Sequence, residues 1–340
     1  MDSKIEKSLR YSIVDGAFYF LMVGCGETFI IPFAIFLNAD NFQLGMLGTL
    51  PLFIGSLSQL FSSRVMLALK SRKWTVCIGG LVQGLTFLPM VIVALNSSGP
   101  RVEMLIVLTC FYFTAGMIIT PAWSSWMGDM VPENFRGRYF SHRNRILGLM
   151  SVASLLVAGG FMHLLQDQPE TRYLGFTGLF FSAMLFRIVS FIFLSLKWEP
   201  PFDFQTAGRA GLLSVFRDSG LRNFRALAAF LALMNFGVYM SAPFFAPYMF
   251  KELKINFITF TFLQGTIILA KYFSLPSWGK VSDKFGSRKV LILNSFLLPF
   301  LPLVWLLSRD IGFLVLAQVI AGWVWSGFEL ASFNFILDNT

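Results

Sequence analysis

The chain has 340 residues, 56% of them hydrophobic and only 13% charged, with 40 Phe and a formal net charge of +9. Soluble domains carry about 25% charged residues, so these figures exclude a water-soluble enzyme, a disordered chain and a disulfide scaffold. A polytopic membrane protein remains.

A helix that crosses lipid satisfies its own backbone, and about 20 apolar residues reach across the hydrocarbon. That rule predicts ten spans, at 12–37, 43–63, 74–95, 103–128, 146–165, 174–197, 224–249, 256–278, 290–308 and 312–335. Several hold a proline, such as Pro32, Pro51, Pro121, Pro247 and Pro276, which membrane helices tolerate because neighbours re-satisfy the freed carbonyl. The opening segment mixes Glu6 with Lys4 and Lys7 and leads into an apolar stretch too long for a cleavable signal peptide. The cysteines Cys25, Cys77 and Cys110 all lie in apolar runs without metal-ligand spacing. No metal and no cofactor is expected.

Orientation follows from the basic residues in the loops. With the N-terminus cytoplasmic, 20 of the 27 Lys and Arg fall on the cytoplasmic side and 5 outside, while Arg187 and Lys271 lie within spans. This asymmetry accounts for the positive charge without nucleic acid. It places the N-terminus in the cytoplasm, and the short loops suit a plasma (inner) membrane.

The sequence repeats itself. Residues 63–73 (SRVMLALKSRK) align without a gap with 279–289 (GKVSDKFGSRK) at a shift of 216. Pro32 and Pro247 match at nearly the same shift. Span one therefore corresponds to span seven, and six spans form the unit. The expected organisation is a six-helix bundle at 1–197, a cytoplasmic linker with a short amphipathic helix at 198–223, and a second bundle at 224–340. The second repeat holds four spans and reaches Asp338 where the first has Asp129. A twelve-span fold with ten spans present is the expectation, and a ten-span protein the alternative.

At these residues the chain resembles the major facilitator superfamily of secondary transporters. Gly279, Asp283, Gly286, Arg288 and Lys289 stand in register with one loop signature of that family, and Asp129, Pro132, Arg136, Gly137 and Arg138 with the other. The copy at 63–73 keeps Arg72 and Lys73 but has Ser63, Leu67 and Lys70 where the family has Gly, Asp and Gly. The resemblance implies an all-α membrane protein of two pseudo-repeated bundles. It also implies gating loops that latch the bundles when the site faces outward, and a central cavity lined by spans one, four, seven and ten. The residues themselves account for the shape of the first of these loops. Gly279 lets the end of span eight approach a neighbour closely, Asp283 begins the turn beside a helix N-terminus, and Gly286 supplies the turn's backbone angle. Asp129 is expected to pair with Arg136 or Arg138.

A charge at mid-membrane costs at least a few kcal/mol and so marks a site or an ion pair. Glu27 lies midway along span one, level with Arg187 in span six. Lys271 and Glu329 lie at equal depth in spans eight and ten, which allows a pair. Glu27, Lys271 and Glu329 are the candidates for solute or proton binding, and Arg187 is assigned to holding helices together because span six is an outer helix. Trp123, Trp126, Asn235 and Gln264 are candidate solute contacts. No phosphate-cradling Gly-rich loop, zinc motif or nucleophile triad is found, so no enzyme is expected. These readings predict a monomeric secondary transporter working by alternating access, whose partners are a small solute and membrane lipid, with proton coupling through Glu27 or Glu329 as a hypothesis. A solute sensor or lipid scramblase on the same fold is the alternative.

Overall fold

The computed structural model describes residues 3–96, 99–132, 136–203 and 222–338. The amphipathic helix expected within 198–223 lies outside the described residues. Among the described residues every regular element is helical.

The first span is α1 (Ser3–Cys25) and α2 (Ile30–Phe36), joined through a 3-10 turn at Glu27–Phe29. The second is α3 (Asn41–Gln59), opened by an Asp40–Gln43 capping box, and α4 (Ser62–Leu69), bent from α3 by 52°. The third is α5 (Arg72–Leu85), capped by the Ser71 hydroxyl, and α6 (Phe87–Leu95). Then come α7 (Arg101–Met130), α8 (Arg136–Leu164) and α9 (Pro169–Ser195), the last begun by a proline whose missing N–H needs no partner there. Further on are α10 (Arg222–Ser241), α11 (Phe257–Phe285), α12 (Ser287–Leu297) and α13 (Ile311–Asp338). Nine helical stretches among the described residues are long and apolar enough to cross a membrane, and the bent α3–α4 pair makes ten.

The helices outrun the apolar windows. α1 starts at Ser3, α8 already at Arg136, and α11 continues to Phe285. Hydropathy reports where lipid ends, but a helix stops only where a cap, a glycine or a proline stops it. The stretch 63–69, expected as loop, is helical for the same reason.

The chain folds into two compact units, Met1–Arg209 with Ala246–Glu252, and Ala210–Phe245 with Leu253–Thr340. In the first, α1 packs on α8 and α9, α3 on α7, and α5 on α7 and α9. Its core joins Leu9, Val76, Cys77, Trp126, Tyr139 and Leu194. In the second, α11 and α12 pack on α13 around Trp278, Leu291, Val324 and Phe328. Spans two and four thus pair in one unit, and spans eight and ten in the other. A Cβ added at Gly322 of α13 would stand 2.6 Å from the Ile267 carbonyl oxygen of α11, so that pair packs backbone to backbone.

Residues beyond α9 are fastened to the first unit. Lys197 pairs with Asp15 at 3.1 Å, and the Trp198 amide donates to Ser8 Oγ at 2.9 Å. Glu199 accepts from Ser71 Oγ and from the amides of Arg72 and Lys73 at the start of α5, where the helix dipole favours a carboxylate.

Candidate functional site

Charged side chains inside the first unit converge on a cavity of about 200 Å³. Its wall includes Asp15 and Tyr19 of α1, Gln83 of α5, Trp123 of α7, Arg143 of α8 and Arg187 of α9. Small residues on the facing helices make room for the long side chains. A Cβ at Gly80 would lie 2.9 Å from Arg187 Nη2, and one at Gly116 would lie 2.5 Å from Gln83 Nε2.

Arg187 is only 4% exposed. Its Nε donates to Gln83 Oε1 at 3.0 Å and its Nη1 to Ser190 Oγ at 2.9 Å. Its guanidinium lies 5.0 Å from the centre of the Tyr19 ring, within cation–π range. Arg143 is 9% exposed, donates from Nε to the Ser12 carbonyl at 3.2 Å, and lies 4.7 Å from the Trp123 ring. Among the described residues neither guanidinium is within 4.0 Å of a carboxylate. The Asp15 carboxylate is engaged by Lys197, which lies just beyond α9. Burial pushes the Lys197 ammonium below its ordinary range, while Asp15 opposes that shift.

The residues expected at the site are distributed differently. Trp123 lines the cavity. Trp126 does not: it is fully enclosed, donates from Nε1 to the Trp198 carbonyl and lies under Lys197, so it is part of the packing. Glu27 sits in the 3-10 turn that breaks the first span and accepts from the Tyr112 hydroxyl at 2.7 Å. It does not pair with Arg187, which turns to Gln83 and Ser190 instead. In the second unit Lys271 and Glu329 meet at 2.7 Å, as their equal depth allowed, with side chains 34% and 51% exposed. Asn235 bonds the Leu231 carbonyl of its own helix, and Gln264 is half-buried on α11. Sequence reasoning sets Arg187 aside and counts Arg143 as a loop residue, so both are missed. Gly80 and Gly84 of α5, about one turn apart and both against Arg187 of α9, are the signal that could have found Arg187, and Gly16 of α1, against Arg143, the one for Arg143.

The loop residues also differ from expectation. Asp129 pairs with Arg72 at 2.5 Å, not with Arg136 or Arg138. Arg72 is fully buried, donates also to Ser125 and to the Pro200 carbonyl, and stacks 4.1 Å from the Phe202 ring. Arg136 caps the end of α7 through the carbonyls of Gly128 and Val131. Gly137 and Arg138 are exposed in the first turn of α8. In the other loop Gly286 takes φ 86°, as the turn required. Asp283 instead lies in the last turn of α11, exposed, and Arg288 and Lys289 are exposed in the first turn of α12. A Cβ at Gly279 would meet nothing within 4 Å, so the close helix approach expected there is not found among the described residues.

Neither a family model nor a curated protein matches the sequence. Solved structures match across the chain. A bacterial homologue of the human lysosomal transporter Spinster, inward-facing and unoccupied, superposes with a TM-score of 0.69 at 14% identity, over 98% of this chain and 75% of that one. A mutant of the nucleoside transporter NupG gives 0.69 at 13%, over 98% and 83%. The xylose transporter XylE from E. coli gives 0.69 at 11%, over 99% and 85%. The fold is that of the major facilitator superfamily. With the major facilitator fold in place, the chain is an integral membrane protein, and the aligned loops at 63–73 and 279–289 can be compared. The copy at 63–73 has lost the motif's Gly and Asp, yet it retains Arg72, which ties it to Asp129 of the second signature.

Proposed function

We propose that the protein is a secondary transporter that moves a small solute across the membrane by alternating access, one bundle rocking against the other. In this reading it resides in the inner membrane with its N-terminus in the cytoplasm and works as a monomer. The observation that carries the reading is the cavity in the first unit, where Asp15, Gln83, Arg143 and Arg187 stand inside an otherwise apolar bundle. Ionisable groups buried among membrane helices are expensive and characteristically mark solute pathways. The nucleoside and xylose transporters among the structural neighbours support it.

The test is flux into vesicles reconstituted with the full chain. The solutes are labelled xylose, a nucleoside, benzoate and phenyl phosphate, with a fluorescent lipid in parallel. Saturable entry of any of the four solutes supports transport. Lipid flipping alone, or vesicles sealed to all four, rejects it in favour of a scramblase or a sensor on the same fold.

A further inference from the structure

We infer that the cavity of the first unit is a binding site for a small solute that bears an oxyanion, either a carboxylate or a phosphate. The inference deepens the transport reading and rests on it for the word solute.

Charge balance is the first argument. Two guanidinium groups, Arg143 and Arg187, line one cavity, and Asp15, the only carboxylate on its wall among the described residues, is already held by Lys197. The wall therefore carries surplus positive charge in a water-poor bundle, where an uncompensated ion is costly. The second argument is donor count. A guanidinium offers five N–H groups. Among the described residues Arg187 uses Nε and Nη1, and Arg143 uses Nε alone, all toward neutral acceptors. A pure helix clamp would bring a carboxylate to each. The Nη1–Nη2 edge of Arg143, with Nη2 of Arg187 beside it, matches a carboxylate or phosphate. The third is shape. Tyr19, Phe20 and Trp123 supply flat apolar flanks. The volume of about 200 Å³ is below the range of roughly 300–1,000 Å³ for drug-sized ligands, so the occupant is small.

The experiment is thermal unfolding of the purified full chain in detergent at fixed ionic strength, titrated with benzoate, phenyl phosphate and the neutral isostere benzamide. The expected result is a saturable rise in Tm with benzoate or phenyl phosphate, the stronger of the two naming the head group. Benzamide should bind about tenfold more weakly or worse. Arg187→Gln and Arg143→Gln should each weaken the anion response by about tenfold or more, and Arg101→Gln, outside the cavity, should leave it unchanged. If Arg187→Gln does not fold, Arg143→Gln and the wild-type comparison with benzamide carry the test. No saturable response to either anion, an equal response to benzamide, or a response that survives both substitutions overturns the inference. Flux of xylose or a nucleoside without any anion response overturns it while transport stands. Anion binding without flux of any solute upholds the site and removes the transport reading.

Discussion

Lys70 and Gly286, 216 positions apart, both put the backbone at positive φ, 48° and 86°, with ψ 32° at the first and 146° at the second. Each closes the helix that precedes the next span, α4 in one unit and α11 in the other. The two loops therefore share a positive-φ residue at matching positions without sharing one conformation, and only the second has glycine there. A side chain in the left-handed helical region costs roughly 1–2 kcal/mol, and Lys70 carries that cost.

Lys70→Gly should consequently stabilise the protein by about 1 kcal/mol. Lys70 is exposed, so little packing is lost with its side chain. A rise in Tm of a few degrees or less in detergent is the expected readout. A drop would mean that the lysine makes a contact worth more than the strain.

Arg72 and Asp129 should differ in importance although they form one pair. Arg72 is wholly buried and also meets Ser125, Pro200 and Phe202, while the Asp129 side chain is 51% exposed. Arg72→Ala should cost about 3 kcal/mol, as for breaking a buried pair, and Asp129→Asn about 1 kcal/mol. Arg72→Lys should not restore the loss, because a point charge cannot replace the fork. Equal losses in the two single variants, measured by thermal unfolding, would contradict this.

Gly322 and Gly279 give a matched contrast in the second unit. An added Cβ would meet backbone of α11 at the first and, among the described residues, nothing within 4 Å at the second. Gly322→Ala should destabilise by about 1–3 kcal/mol through overpacking. Gly279→Ala should leave stability level or raise it by up to about 1 kcal/mol through helix propensity. Thermal unfolding of both variants in the same detergent compares them directly.

Glu27 and Glu329 are proposed to couple solute movement to protons. Replacing either with Gln should abolish uptake driven by a pH gradient and spare exchange of solute across the same vesicles. Unchanged gradient-driven flux in both variants would reject coupling. The Lys271–Glu329 pair is half-exposed, so its net contribution to stability is about 0–1 kcal/mol. Swapping the two charges should return Tm to that of the native chain, and any transport defect left in the swap belongs to function.

The spans, the repeat and the Lys271–Glu329 depth match can be read from the sequence, because apolar length and charge position along a helix are one-dimensional properties. What a helix turns toward its neighbours is not. Arg187 reads as an outlying charge because its partner on another helix, Gln83, is set by the rotation of α5 against α9, while Ser190 is one turn along α9 itself. Asp129 reads as a partner of Arg136 because the two are near in sequence, yet the tertiary fold brings Arg72 closer. Trp126 illustrates the same gap. An indole in a membrane span suits a solute or a core equally, and only packing decides that it supports Lys197.

The attachment of residues 197–203 sets where the first unit can be severed. A truncation after Ser195, the point hydropathy suggests, would leave Asp15 buried without its ammonium and strip Arg72 of Glu199 and Phe202. One made after Asp203 would retain both. The smallest excisable half is therefore delimited by counter-ions past the lipid boundary, and any swap of halves between related chains should place its junction beyond that anchorage.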